Sequence, residues 1–125
     1  MEEIRKENEK YLALFQEYLE SYGMSRKLSD QHVANMERYL NDYLADVLNR
    51  EMKNSVRDLE PYIKTVYIEM EETNEETLEM LIKSLNFFYR CMHEKGLMSS
   101  QMYGLYEWLV KNNKKEWIEK MSSKR

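Results

Sequence analysis

The side chains best suited to bind a transition metal or relay a proton near neutral pH are scarce here. There are two histidines, His32 and His93, and one cysteine, Cys91, in 125 residues. Neither histidine falls in a His-Glu-x-x-His or Glu-x-x-His spacing, which would set two ligands on one helical face. Cys91 and His93 are two apart, so on a helix they project about 200° from one another and do not share an ion. A lone cysteine also offers no internal disulfide. There is no Gly-rich phosphate loop and no Gly-x-Ser-x-Gly elbow. Carboxylate pairs abound because acids abound, 23 in all, and the sequence singles none out for a raised pKa. The expectation is therefore no catalytic residue, no metal site, no cofactor and no small-molecule substrate: not an enzyme. His32, one step before Val33 on the inward side of the second helix, is expected to be a hydrogen-bonded, partly buried histidine.

What the sequence does offer is surface for binding. Glu79, Lys83, Asn86, Arg90 and His93 recur at steps of four and three, a narrow polar line along an otherwise apolar fourth helix. The second helix carries Arg26, Lys27, Gln31, Asn35 and Arg38 on its outward side. Arg, Lys, Asn and Gln read phosphates and base edges in a groove, so these faces are the candidate surface for double-stranded DNA. The plainer reading is that both are the solvated faces of packed helices, since Glu79, Asp30 and Asp42 interrupt them. Trp108 lies off the main apolar stripe of the fifth helix and is the candidate anchor for a protein partner or a homodimer. Ten methionines and ten tyrosines are many for this length, and Met36, Met70 and Met92 fall in register with leucines and aromatics, as core residues do.

These side chains need helices to position them. Three glycines and one proline are too few for a sandwich or barrel, which needs turn residues at every strand end. Ile4, Tyr11, Leu12, Phe15, Tyr18, Leu19 and Tyr22 form the apolar stripe of a first helix that Gly23 closes, with Met24 folding back. Ser25 caps a second helix carrying Leu28, Val33, Met36, Leu40, Tyr43, Leu44, Val47 and Leu48, which frays within residues 49–55. Asp58 as N-cap places Pro61 in the first turn of a third helix, from Leu59 to about Met70. A start at Ser55 would put the proline inside the helix. Thr73 and Glu76 read as a capping box for the fourth helix. Its apolar arc, Leu78, Leu81, Ile82, Leu85, Phe88, Tyr89 and Met92 widened by Met80, Phe87 and Cys91, marks it as the central one. Gly96 closes it, and Ser99 or Ser100 caps a fifth helix. Asn112-Asn113 is read as its weak point, followed by a short C-terminal helix at 114–122. The expected fold is all-α, a compact orthogonal bundle of about five helices in a single domain over residues 1–125.

Charge refines the choice of partner. The net charge is −4, which argues against indiscriminate nucleic-acid binding. Residues 58–79 carry eight acids against Lys64, whereas residues 80–125 carry nine bases against four acids. The N-terminal run Met1-Glu2-Glu3-Ile4-Arg5-Lys6-Glu7 has no apolar core and does not read as a secretory signal. Apolar runs such as 11–15 are far short of the ~20 residues of a membrane span. A cytoplasmic location without membrane contact is the expectation.

Two segments resemble a known family. The run Tyr18-Leu19-Glu20-Ser21-Tyr22-Gly23-Met24-Ser25, followed by a helix around His32-Val33-Ala34-Asn35-Met36, is similar to the opening of the core-binding domain of tyrosine recombinases (phage integrases). Ile82-Lys83-Ser84-Leu85-Asn86-Phe87-Phe88-Tyr89-Arg90, through Glu94-Lys95-Gly96-Leu97, is similar to the last core-binding helix of those enzymes. The resemblance covers about residues 8–110 and rests on helix lengths, caps and apolar positions. It implies a sterile-alpha-motif-like (SAM-like) fold and a module standing without the family's catalytic domain. It also implies a DNA-facing role for the second and fourth helices, which the acidic total charge opposes. None of the ten tyrosines takes the place of the family's nucleophile.

Overall fold

The computed structural model describes residues 2–124, and among them every regular element is helical. Helix α1 spans Glu2–Ser21, and α2 spans Arg26–Glu37 and runs without a break into a π-helical stretch, Arg38–Ala45. A 3₁₀ turn, Met52–Asn54, leads into α3, Ser55–Pro61, which also widens into π-helix over Tyr62–Tyr67. Helix α4 spans Glu75–Glu94 and α5 spans Ser100–Ser122. The five-helix bundle expected from the sequence is the fold observed. Helices α1, α2 and α5 pack on α4, and α3 closes the bundle against α5 and the π-stretch of α2. The nine buried residues of α4 include Ser84 among the apolar ones, which confirms it as the central helix.

Local chemistry sets most boundaries. Gly23 and Gly96 take φ of 86° and 75°, a region closed to most L-residues. Each closes a Schellman motif, in which Met24 N–H bonds the Leu19 carbonyl and Leu97 N–H bonds the Met92 carbonyl. The two closures differ beyond the backbone: Met24 folds back half-buried, whereas Leu97 stays exposed and Met98 takes the buried place. Ser25 and Ser99 accept from the amides of Leu28 and Met102, the N-caps the sequence implies. The second helix stops at Ala45, short of the fraying expected within 49–55, and a turn over 46–48, with Val47 on the surface, leads to Asn49 in the left-handed region at φ 55°.

Three further boundaries are corrected. The third helix starts at Ser55, so Pro61 sits inside it. Burial explains why: Val56, Leu59, Tyr62 and Ile63 form one continuous inward stripe, each at most 1% exposed. Burying them outweighs a proline that costs about 3 kcal/mol in a helix interior. The helix widens directly after the proline, and the Thr65 hydroxyl donates to the Pro61 carbonyl at 2.6 Å. The capping box lies one residue later than expected, with Asn74 as N-cap and Thr77 as its reciprocal partner. Thr73 is instead buried, donating its hydroxyl to the carbonyls of Tyr67 and Met70.

The third correction concerns the C-terminus. The short helix expected at 114–122 is part of α5, which runs unbroken through Asn112-Asn113. Both asparagine amides donate to carbonyls one turn back, those of Trp108 and Leu109, and so sit within the helix rather than ending it. Buried Trp117 and Met121 hold the far half of α5 on the bundle. There the C-terminal end of the chain meets the third helix and the turn that follows it. Lys124 donates to the carbonyls of Met70 and Thr73 at 2.5 and 2.7 Å, and Lys64 pairs with Glu116 at 3.5 Å.

Because Pro61 lies on the surface and lacks the amide an interior position needs, Pro61→Ala is expected to raise stability by about 1–2 kcal/mol. Denaturant unfolding of the two proteins checks this. A loss of stability would show that the ring, rather than the buried stripe around it, sets the geometry of the third helix.

Candidate interaction surface

The polar side chains singled out in the sequence meet very different fates. At the centre of the α2–α4 contact, His32 is 2% exposed, with Nδ1 2.6 Å from the Ser84 hydroxyl. Asn35 donates its amide to the same oxygen at 3.0 Å, and Ser84 donates to the Met80 carbonyl at 3.0 Å. A serine oxygen has one proton and two lone pairs. With the proton on Met80, both remaining bonds must be accepted, so hydrogen-bond accounting assigns the shared proton to His32 Nδ1. This is the reverse of a base activating a nucleophile. His32, packed edge-on against Phe87, and Asn35 are tertiary glue, as the inward position of His32 implies. Burial, aided by the Lys83 charge, pushes the His32 imidazole below its usual range. Cys91 is also fully buried, and burial pushes its thiol up to about 11, far from a reactive thiolate. Among the described residues no group of three or more His, Cys, Asp or Glu could hold a metal ion, and no helix is long and apolar enough to cross a membrane.

Helix α5 draws in much of the α4 polar line. Asn86 accepts from the Tyr106 hydroxyl at 2.5 Å. His93 bonds the Ser100 hydroxyl at 3.0 Å and stacks on Tyr103, with ring centroids 4.7 Å apart. Arg90 stays exposed on a hollow it shares with Tyr103, whose hydroxyl raises the guanidinium pKa further. On α2, Arg26 lies between Glu20 at 3.3 Å and Asp30 at 3.5 Å, and Arg38 rests on the Met70 sulfur at 3.7 Å. Gln31 opens onto a hollow between α2 and the start of α4, shared with Tyr67 and Glu76. Lys27 and Lys83 are exposed, and neither enters an ion pair among the described residues. The nine candidates thus split: Asn35, Asn86, His93, Arg26 and Arg38 are held in contacts within the fold, Gln31 and Arg90 open onto different hollows, and Lys27 and Lys83 stand exposed.

A different feature stands out on the folded surface. Between the α1–α2 turn and the second half of α4 lies an open, mostly apolar groove of about 430 Å³. Tyr18, Leu19, Met24, Leu28 and Phe87 line it, Arg90 and Glu94 stand at its rim, and the Tyr18 hydroxyl donates to Glu94 at 3.4 Å. Tyr22 belongs to the groove too, packed edge-on against Tyr18 yet 74% exposed. In the sequence Tyr22 continues the core stripe of α1. In the fold α1 stops at Ser21, and Tyr22 just beyond it stays exposed while Tyr18 and Leu19 of the last turn are buried. Trp108, the anchor expected from its off-stripe position, is 59% exposed on α5.

His32 gives this region a testable acid response. Its folded-state pKa lies below the unfolded value of about 6.5. Its contribution is therefore complete above pH ~6.5 and is lost as pH falls from there toward the depressed folded value. Unfolding free energy measured between pH 7.5 and 5 should fall in wild type, with a flatter profile in His32→Gln, whose amide keeps a donor for Ser84. Equal slopes would place the responsible group elsewhere.

Comparison with protein-family models, with curated proteins and with solved structures finds no match to this chain.

Proposed function

We propose that this chain is a non-catalytic helical module of the cytoplasm that works by binding another protein. One observation carries the reading: an apolar groove left open beside α4, with the aromatic ring of Tyr22 standing mostly in solvent above it. Large exposed aromatics over partly formed pockets are typical anchors of protein interfaces. Trp108 offers a second anchor on α5. The polar residues that would read DNA are largely committed within the fold, Asn35 to Ser84, Asn86 to Tyr106, His93 to Ser100 and Arg26 to two acids. The resemblance to recombinase core-binding domains fits this reading as a proposal of shared SAM-like helical plan, with DNA clasping given up for protein contact.

The test compares wild type with Tyr22→Ser and Trp108→Ser variants, both at exposed positions where folding should be little disturbed. Sizing and quantitative pull-down should show an association that either variant weakens several-fold. A strictly monomeric protein without a partner, together with duplex-DNA binding that falls steeply with salt, would contradict the proposal and favour the DNA reading.

A further inference from the structure

We infer that the far half of α5 is a strap that opens as a unit about Asn112-Asn113, with Lys124 as its latch, independently of the protein-binding reading. Helix α5 bridges two neighbours. Its near half lies on α4, where Tyr106 meets Tyr89 with ring centroids 4.6 Å apart and Ser100 bonds His93. Its far half reaches the third helix and the turn beyond it, through Glu116 with Lys64, Met121 with Thr73, and Lys124. Between Tyr106 and Trp117 no residue of α5 is buried, and the two asparagines stand in that interval. Asparagine is a poor helix former. Here both side chains turn back onto their own helix, donating to the Trp108 and Leu109 carbonyls at 2.8 Å. The helix is unbroken there, but that interval is where parting it costs least.

Two features set the far half apart. Trp117 is fully buried, and its indole N–H finds no acceptor among the described residues. Closing the strap therefore strands a donor that opening returns to water. Lys124 works in the opposite direction. An ammonium carries three protons, and this one has three oxygen partners: the Met70 carbonyl at 2.5 Å, the Thr73 carbonyl at 2.7 Å and the Thr73 hydroxyl at 2.8 Å. That hydroxyl donates its own proton to the carbonyls of Tyr67 and Met70, which ties the cradle to the third helix. All three oxygens are neutral, so the latch rests on the three donors of one side chain. Once detached, residues 114–124 are shorter than the ~12–15 that a helix needs to persist alone, so the segment unravels. Trp117, Ile118 and Met121 then face solvent, an apolar face that the closed chain hides.

Native-state hydrogen exchange of the intact chain, over a series of low denaturant concentrations, tests the strap, with the Trp117 indole N–H as a side-chain reporter. The amides of 114–122 and that indole should share one opening, roughly ten-fold or more easier than that of the α4 amides between Leu78 and Met92. Its denaturant dependence should be weaker, because less surface is exposed. Phe15→Leu, in the core where Phe15 meets Phe88, should speed α4 exchange roughly ten-fold and leave the strap amides unchanged. Lys124→Met should speed the strap amides roughly ten-fold, and Asn112→Ala with Asn113→Ala should slow them several-fold. If Phe15→Leu speeds the strap as much as α4, the far half belongs to one cooperative core and the strap is overturned. Protection that declines residue by residue toward 122, or strap amides unmoved by Lys124→Met, would overturn it equally.

Discussion

Where α2 crosses α4, a single serine hydroxyl gives one hydrogen bond and takes two, and the arrangement of the bundle follows from that small junction. Ser84 is fully buried, yet its oxygen is shared by His32 and Asn35 from the neighbouring helix while its proton stays on its own helix at Met80. A larger side chain would part the helices, and an apolar one would leave the buried His32 unpaired, at about 1–3 kcal/mol, and release the half-buried Asn35 amide. A second hydroxyl junction lies at the other face of α4, where Ser55 bonds the Tyr89 hydroxyl at 2.6 Å and its carbonyl accepts from Tyr39. Between them these contacts fix how α2 and α3 meet the central helix, with α1 and α5 filling the remaining sides.

The two π-helical stretches adapt the chain to that enclosure. Each extends an ordinary helix, and tyrosines carried on them meet across the core, with Tyr39 and Tyr62 4.6 Å apart and Tyr43 and Tyr62 5.0 Å apart. Local widening re-aims side chains without breaking a helix. In α3 the stretch begins directly after Pro61. In α2 the stretch is tied to α1 by the buried Asn8, whose amide donates to Asn41 at 2.8 Å and to the Leu40 carbonyl at 3.2 Å. The Arg5 guanidinium adds an exposed pair with Asp46 at 2.8 Å, which holds that carboxyl below its ordinary range.

What could be read from the chain alone was what a few neighbouring residues decide. Gly23 and Gly96 closing their helices, Ser25 and Ser99 capping, and the wide apolar arc of α4 are all local signals. The boundary at Pro61 was misplaced because a local rule about proline competed with Val56 and Leu59, whose burial depends on distant helices. Asn112-Asn113 looked like a break because the asparagines' bonds to their own helix, and the anchorage of Trp117, are invisible in composition. The same division holds at the surface. Trp108 could be recognised as exposed from its angle on α5. The commitment of Asn86 to Tyr106 and of His93 to Ser100 could not be, since each needs α5 laid against α4. The groove was hidden for a related reason: Tyr22 continues a core periodicity, and only the fold shows that nothing covers it.

The surface left open is therefore what the enclosure of α4 leaves over: an apolar trough at one end, bordered by Arg90 and Glu94, and a tryptophan on the outer face of α5. That account depends on α4 being held from every side but one. Native-state amide hydrogen exchange, read residue by residue, tests it directly. The amides of α4 between Leu78 and Met92 should be the slowest in the chain, exchanging only on global unfolding, while the turn at 22–25 beside the groove exchanges by local opening. If the α4 amides exchange through local openings as readily as the ends of α5, the central helix is not enclosed as described and the account fails.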